Sequence, residues 1–321
     1  MTHFNTPFVK LSALVLVMGA AGAARGATDA IEPVAGAAST ATPPTAPAPP
    51  LRYSLPWQLR PVSAGNVVRL DSAAAVFNDA SGNVDIAVTT VLSASVRLTP
   101  RWTPTLRLGL VGNNAPGAAL DGSSFVNPLV GATYARTVGC YAFALFGATT
   151  VPIGTGAGDV RYVRAARTNA ASMVARPSDS AMFAVNYVTA IAGADFAYVS
   201  HGFTAQGEAT LLQFVRVRGG DGAGANAPWR TQAAAGLHLG YFLGSHFSLS
   251  SDLTYQRWLA HPATANMVTV AVGPRAHFKL GKQASMRPGV SLVRGLDARG
   301  FDAPLITAQA TAVQVDLPVT F

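Results

Sequence analysis

Beyond residue 65 apolar and polar residues alternate with a period of two through most of the chain. In 84–98, Val84, Ile86, Val88, Leu92, Val96 and Leu98 hold one parity, and Asp85, Thr89, Ser93, Ser95 and Arg97 hold the other. Alternation of this kind puts the two sets on opposite faces of a β-strand. It recurs in about twelve segments, an even number suited to a single-chain barrel, with ten or fourteen as alternative counts. The predicted strands are 66–77, 84–98, 105–112, 125–136, 141–151, 183–199, 203–218, 231–241, 247–258, 267–280, 285–294 and 306–321. The links between them are sorted by length. Compact ones (99–104, 137–140, 200–202, 242–246, 281–284) alternate with longer ones rich in Gly, Asn and Asp (78–83, 113–124, 152–182, 219–230, 259–266, 295–305). A β-sandwich gives no reason for this sorting. An all-β transmembrane antiparallel barrel does, with short turns on the side of both termini and long loops outside.

In such a barrel the apolar parity meets lipid and the polar parity meets the lumen, because a midplane Arg or Lys facing lipid would cost ~2 to 4 kcal/mol. The lumen set is therefore Arg69 and Asp71, Asp85 and Arg97, Arg107, Glu208, Asp252, and Arg275, His277 and Lys279. The basic excess has two readings. In a water-filled pore it favours anionic or polar solutes; in a narrow barrel Arg69, Arg97, Arg107 and Arg275 instead pair with Asp71, Asp85, Glu208 and Asp252 as filling. Aromatics fall into two groups. Trp102, Tyr141, Tyr198, Phe203, Tyr241, Phe242, Phe247 and Phe278 lie beside short links, and Phe77, Phe125, Phe183, Phe214, Trp229, Tyr255, Trp258 and Phe301 beside long ones, as two interfacial belts would require.

Composition agrees with a membrane location. The 321 residues are 50% hydrophobic and 12% charged, against about 25% charged in ordinary soluble domains. No apolar run reaches the ~20 residues of a spanning helix. The stretch 11–24 after Lys10, ending in small residues, reads as part of a secretory signal covering 1–24. Residues 25–50 are a Pro/Ala-rich linker. Residues 51–65, with Trp57, either plug the lumen or hang in the periplasm, and 66–321 form the barrel. A single cysteine, Cys140, suits an exported chain. The formal charge of +8 is spread along the sequence rather than clustered, so no nucleic-acid partner is expected.

Residues 313–321 read V-Q-V-D-L-P-V-T-F, with Val313, Val315, Leu317, Val319 and Phe321 on one face. This ending resembles the C-terminal strand of bacterial outer-membrane β-barrel proteins, in which a terminal Phe is the assembly signal. The resemblance implies an outer-membrane location, contact with outer-membrane lipid and lipopolysaccharide, and handling of Phe321 by barrel-assembly machinery. Length and strand number look similar to small-solute channels and aromatic-compound uptake families, which implies a non-enzymatic channel passing small polar, anionic or aromatic solutes. The longest link carries Arg161, Arg164 and Arg167 at spacings of a short basic helix, either an inward constriction, a lipopolysaccharide contact or a rim loop. No zinc-protease, nucleophile-elbow, Walker or paired-Cys motif occurs, and no cofactor or metal is expected. Two other functions stay open: a lipid-modifying hydrolase using His201 or His246 beside serines, and a structural or adhesive barrel.

Overall fold

The computed structural model describes residues 52–63, 65–78, 84–114, 122–155, 176–218, 228–259, 266–297 and 310–321. All belong to one compact unit, Pro49–Phe321. Residues 1–51, where the sequence predicts the signal and linker, together with Arg161, Arg164 and Arg167 and the side chain of Asp85, lie outside the described residues.

Twelve antiparallel strands close into a barrel. They are β1 (Val67–Asn78), β2 (Val84–Ser95), β3 (Trp102–Asn114), β4 (Leu129–Val138), β5 (Tyr141–Thr150) and β6 (Tyr187–Ser200). There follow β7 (Phe203–Arg216), β8 (Trp229–Leu243), β9 (Phe247–Trp258), β10 (Met267–Ala276, continued by Phe278–Leu280), β11 (Ala284–Met286 and Gly289–Asp297) and β12 (Thr311–Thr320). Each strand pairs with its sequence neighbours, and β12 closes on β1 from Val67↔Thr320 to Val76↔Thr311. Closure leaves no open sheet edge, the condition for spanning lipid with strands. A short extra strand, Gly122–Phe125, pairs with the end of β3.

The observed faces follow the alternation. Val68, Leu70, Ile86, Val88, Leu92, Leu106, Leu110, Leu249, Leu253, Val313 and Val315 are exposed on the outer wall, while Arg69, Asp71, Thr89, Asp252, Arg275, Gln314 and Asp316 are buried inside. Gly139, Gly202, Gly244 and Gly281 close four of the short turns with φ between 59° and 81°, a region open to glycine and costly for residues with a Cβ. His201 also has positive φ (49°), so with Gly202 it forms the two-residue turn between β6 and β7.

Only one of the two aromatic belts is as expected. Trp102, Tyr141, Phe203, Tyr241, Phe247 and Phe278 ring the short-turn end on the outside. At the long-loop end Trp229 and Tyr255 face out, but Phe183, Phe214 and Trp258 are buried within the lumen. Parity explains the correction. Phe214 shares the register of Glu208 and Thr210, and Trp258 that of Asp252 and Gln256, so closeness to a strand end does not decide the face.

Candidate functional site: a filled, arginine-rich lumen

Two inserts occupy the barrel. The first, residues 52–63, enters from the short-turn end and is held as a cork by wall carboxylates. The backbone N–H groups of Trp57, Gln58 and Leu59 all donate to Asp252 Oδ2, at 2.8, 2.7 and 3.4 Å. Arg60 donates to Glu208 from its backbone N–H and its guanidinium, each at 2.7 Å. His238 bridges Asp252 Oδ1 at 2.7 Å and the carbonyl oxygen of Ser54 at 3.1 Å. The Trp57 ring lies under the Arg275 guanidinium, 3.7 Å from its centroid, and its indole N–H donates to the carbonyl of Ser250. A segment with no regular structure of its own thus finds partners for its backbone on the wall, as burial demands.

The second insert enters from the long-loop end. After Arg176, a single 3₁₀ turn (Pro177–Asp179) leads into a four-residue helix, Ser180–Phe183. Met182 and Phe183 pack against inward-facing Val91, Val111, Leu129, Phe146, Ile191, Leu212, Phe214 and Trp258. This apolar layer is a loop seal across much of the lumen. Asn127 latches it: its backbone N–H donates to the Met182 carbonyl, its side-chain amide donates to the carbonyls of Ala184 and Tyr187, and its Oδ1 accepts from Gly154 N–H. The alternation predicts that the polar parity lines the lumen. The inward parity is instead polar in the short-turn half and apolar beneath the loop.

Between the inserts runs a chain of alternating charge. Arg275 contacts Asp316, which pairs with Arg69 at 2.8 Å; Arg69 pairs with Asp71 at 2.9 Å; Asp71 pairs with Arg176 at 3.2 Å; Arg176 pairs with Asp179 at 2.7 Å; and Asp179 pairs with Arg107. The ladder joins β10, β12, β1, the loop seal and β3, and it starts and ends on arginine. For Asp179, burial works to raise the pKa, yet Arg107 and Arg176 together hold it below the usual carboxylate range.

A cavity of about 600 Å³ lies between the cork and the wall of β1 to β5. It runs from the short-turn rim at Asn66, Arg97 and Phe321 inward to Arg107 and Ser178. Arg60, Arg69, Arg97, Arg107 and Arg287 line it, and among the described residues no Asp or Glu does.

The sequence-derived lumen residues therefore divide. Arg69, Asp71, Glu208, Asp252 and Arg275 are buried within the lumen, and Arg107 reaches both the loop seal and the cavity. Arg97 stands at the rim. His277 lies at the short-turn mouth, stacked on Phe242 and bonded to Ser248, and Lys279 is exposed beyond it. The pairing scheme is not the one first considered. Arg69 pairs with Asp71 and also with Asp316, Arg275 with Asp316, Arg107 with Asp179, while Glu208 and Asp252 serve the cork. Sequence reasoning missed Arg60, Arg176, Asp179 and His238 as parts of this site, whereas the alternation of the last strand puts Asp316 on the lumen face where it is found. Parity could have found His238, set between Leu237 and Leu239. Arg60, Arg176 and Asp179 lie in segments without periodicity. His201 and His246 are turn residues whose rings bond the adjacent Ser200 and Ser245, and among the described residues no carboxylate bonds either ring.

No protein-family model matches the chain and no curated protein does. Among solved structures, it is similar to the NanC porin, at 10% identity and a TM-score of 0.52, over 79% of this chain and 98% of that one. It is also similar to an outer membrane channel from Pseudomonas putida F1, at 12% identity and a TM-score of 0.51, over 81% and 97% of the respective chains. At these identities the likeness is one of fold, a closed antiparallel β-barrel.

Proposed function

We propose that this protein is an outer-membrane channel for small anionic solutes, held shut here by its cork and loop seal. The short turns then face the periplasm, as in the orientation drawn from loop lengths. The observation that carries the reading is the 600 Å³ cavity with five arginines and no carboxylate on its lining. Guanidinium groups recognise carboxylate and phosphate through paired N–H donors, and a low-dielectric wall strengthens their field on a passing anion. No step requires catalysis; the similarity to a porin and to an outer membrane channel supports transport. The test is flux into proteoliposomes. A chain that lacks residues 52–63 and carries Asp179→Asn, so that cork and seal are both weakened, should admit radiolabelled succinate or phosphate faster than the full chain, and faster than a neutral or cationic solute of equal size. Equal, negligible uptake of all solutes by both chains would reject transport.

The filled lumen favours a second reading, a structural barrel whose loops bind partners. It requires that removing the cork and weakening the seal together leave the bilayer sealed, so the same measurement separates the two.

A further inference from the structure

We propose that the arginine-lined cavity is an oxyanion site whose occupancy unlocks the loop seal, the oxyanion taking the place of Asp179 on Arg107. The inference rests on the channel reading and adds to it how the channel opens. Arg107 is the cavity guanidinium that also holds the seal by charge. It lines the cavity's inner end beside Ser178, donates from Nε to Ser93 at 3.0 Å, and pairs with Asp179 one residue before the seal helix.

The direction of the effect follows from linkage. With the seal in place, Asp179 neutralises the Arg107 guanidinium. Once the seal withdraws, it carries Asp179 away and leaves Arg107 at the end of the cavity without that carboxylate, so an anion binds the open arrangement more tightly than the closed one. A ligand that prefers one state shifts the population toward it by that difference in affinity. The rest of the cavity acts in the same sense on the cork. Arg69 donates to the carbonyls of Pro56 and Trp57 at 3.4 Å, and Arg287 donates to the carbonyl of Tyr53 at 3.2 Å. All three acceptors are neutral, and the two Arg69 contacts are long, so these bonds are weaker than the charge-assisted ones an oxyanion would offer. The ladder's own composition agrees, since four arginines (Arg275, Arg69, Arg176, Arg107) face three aspartates (Asp316, Asp71, Asp179) and both ends are cationic. In the closed arrangement the cavity reaches the short-turn rim, so an oxyanion from that side can meet Arg107 directly.

The experiment reads exposure of the seal in the full chain in detergent micelles. In a Cys140→Ser background, Met182→Cys places the sole thiol on the buried face of the seal helix, and maleimide labelling is timed with inorganic phosphate, with succinate, and with chloride at matched ionic strength. Phosphate or succinate should accelerate labelling saturably, within the roughly 5- to 150-fold range of ordinary allosteric couplings, and chloride should not. The more potent of the two anions identifies the class. Arg107→Gln should raise the basal rate and abolish the anion response; Arg107→Lys, which keeps the charge but cannot clasp two oxygens, should respond more weakly. Folding of each variant is verified by heat-modifiable migration. No acceleration by either oxyanion, or equal acceleration by chloride, overturns the proposal. A protein that responds here yet never conducts refutes the channel reading alone, and one that conducts while its seal labels independently of anions refutes this inference alone.

Discussion

Asp252→Asn changes one atom at the point where the cork is held most tightly. In the wild-type chain the carboxylate accepts two N–H bonds of ordinary length from Trp57 and Gln58, a longer one from Leu59, and a contact to His238. A hydrogen bond to a charged partner contributes about 1.5 to 3 kcal/mol and a neutral one about 0.5 to 1.5. Replacing the carboxylate by an amide of the same shape therefore removes about 1 to 1.5 kcal/mol from each of the two good bonds, about 2 to 3 kcal/mol in total. At 1.4 kcal/mol per decade this is a shift of roughly 30- to 150-fold in the equilibrium between docked and undocked cork. The barrel itself should be unaffected, because Asp252 faces the lumen and its strand keeps every backbone partner. The assay is thiol labelling of Leu59→Cys in a Cys140→Ser background, where the rate follows the undocked fraction when docking is fast. Labelling should accelerate in Asp252→Asn by that factor. A rate within about twofold of the parent would refute the idea that this carboxylate holds the cork.

Three further outcomes are expected. Because the pKa of Asp179 is lowered in the folded chain, its contribution is complete above the ordinary carboxylate value of about 4 and is lost as pH falls below it; amide protection of residues 180–183 by hydrogen exchange should therefore hold from neutral to mildly acid pH and fall only in stronger acid, and loss already at pH 6 would contradict the assignment. Val88→Arg puts a charge on the lipid face of β2, so folding into bilayers, followed by urea titration, should weaken by about 2 to 4 kcal/mol, whereas a neutral result would place that face elsewhere than in lipid. Deleting Phe321, which is exposed and contributes one backbone bond to Asn66, should leave refolding in detergent nearly unchanged while lowering the folded barrel recovered from cell outer membranes; equal yields from cells would remove its role as an assembly signal.

The barrel was legible because its determinant is local. A strand's parity can be read from any five or six residues, and the loops sort by length without knowledge of tertiary contacts. The same parity placed Arg69, Asp71, Arg107, Glu208, Asp252 and Arg275 inside. The sequence offers 51–65 as a plug and the longest link as an inward loop only as alternatives, and how they dock is not legible, since residues 52–63 and 176–183 have no period and are fixed by partners far along the chain. Asp252 meets Trp57 across 195 positions and Arg69 meets Asp316 across 247. Phe214 and Trp258 went to the wrong side because position along a strand was weighed where parity decides. Charge pairing failed for a related reason. Arg69, Arg107 and Arg275 found carboxylates, but Asp316 sits on the closing strand and Asp179 in a loop, and only closure and infolding bring them within reach.

Single-channel recording in planar bilayers under a tenfold KCl gradient tests the central claim most directly, using a chain that lacks residues 52–63 and carries Asp179→Asn, so that both closures are weakened. Discrete conductance steps reversing on the anion side are expected, at much higher frequency than in the unaltered chain. Silent bilayers from protein shown to be folded and inserted, or currents that reverse on the cation side, would contradict a closed anion channel.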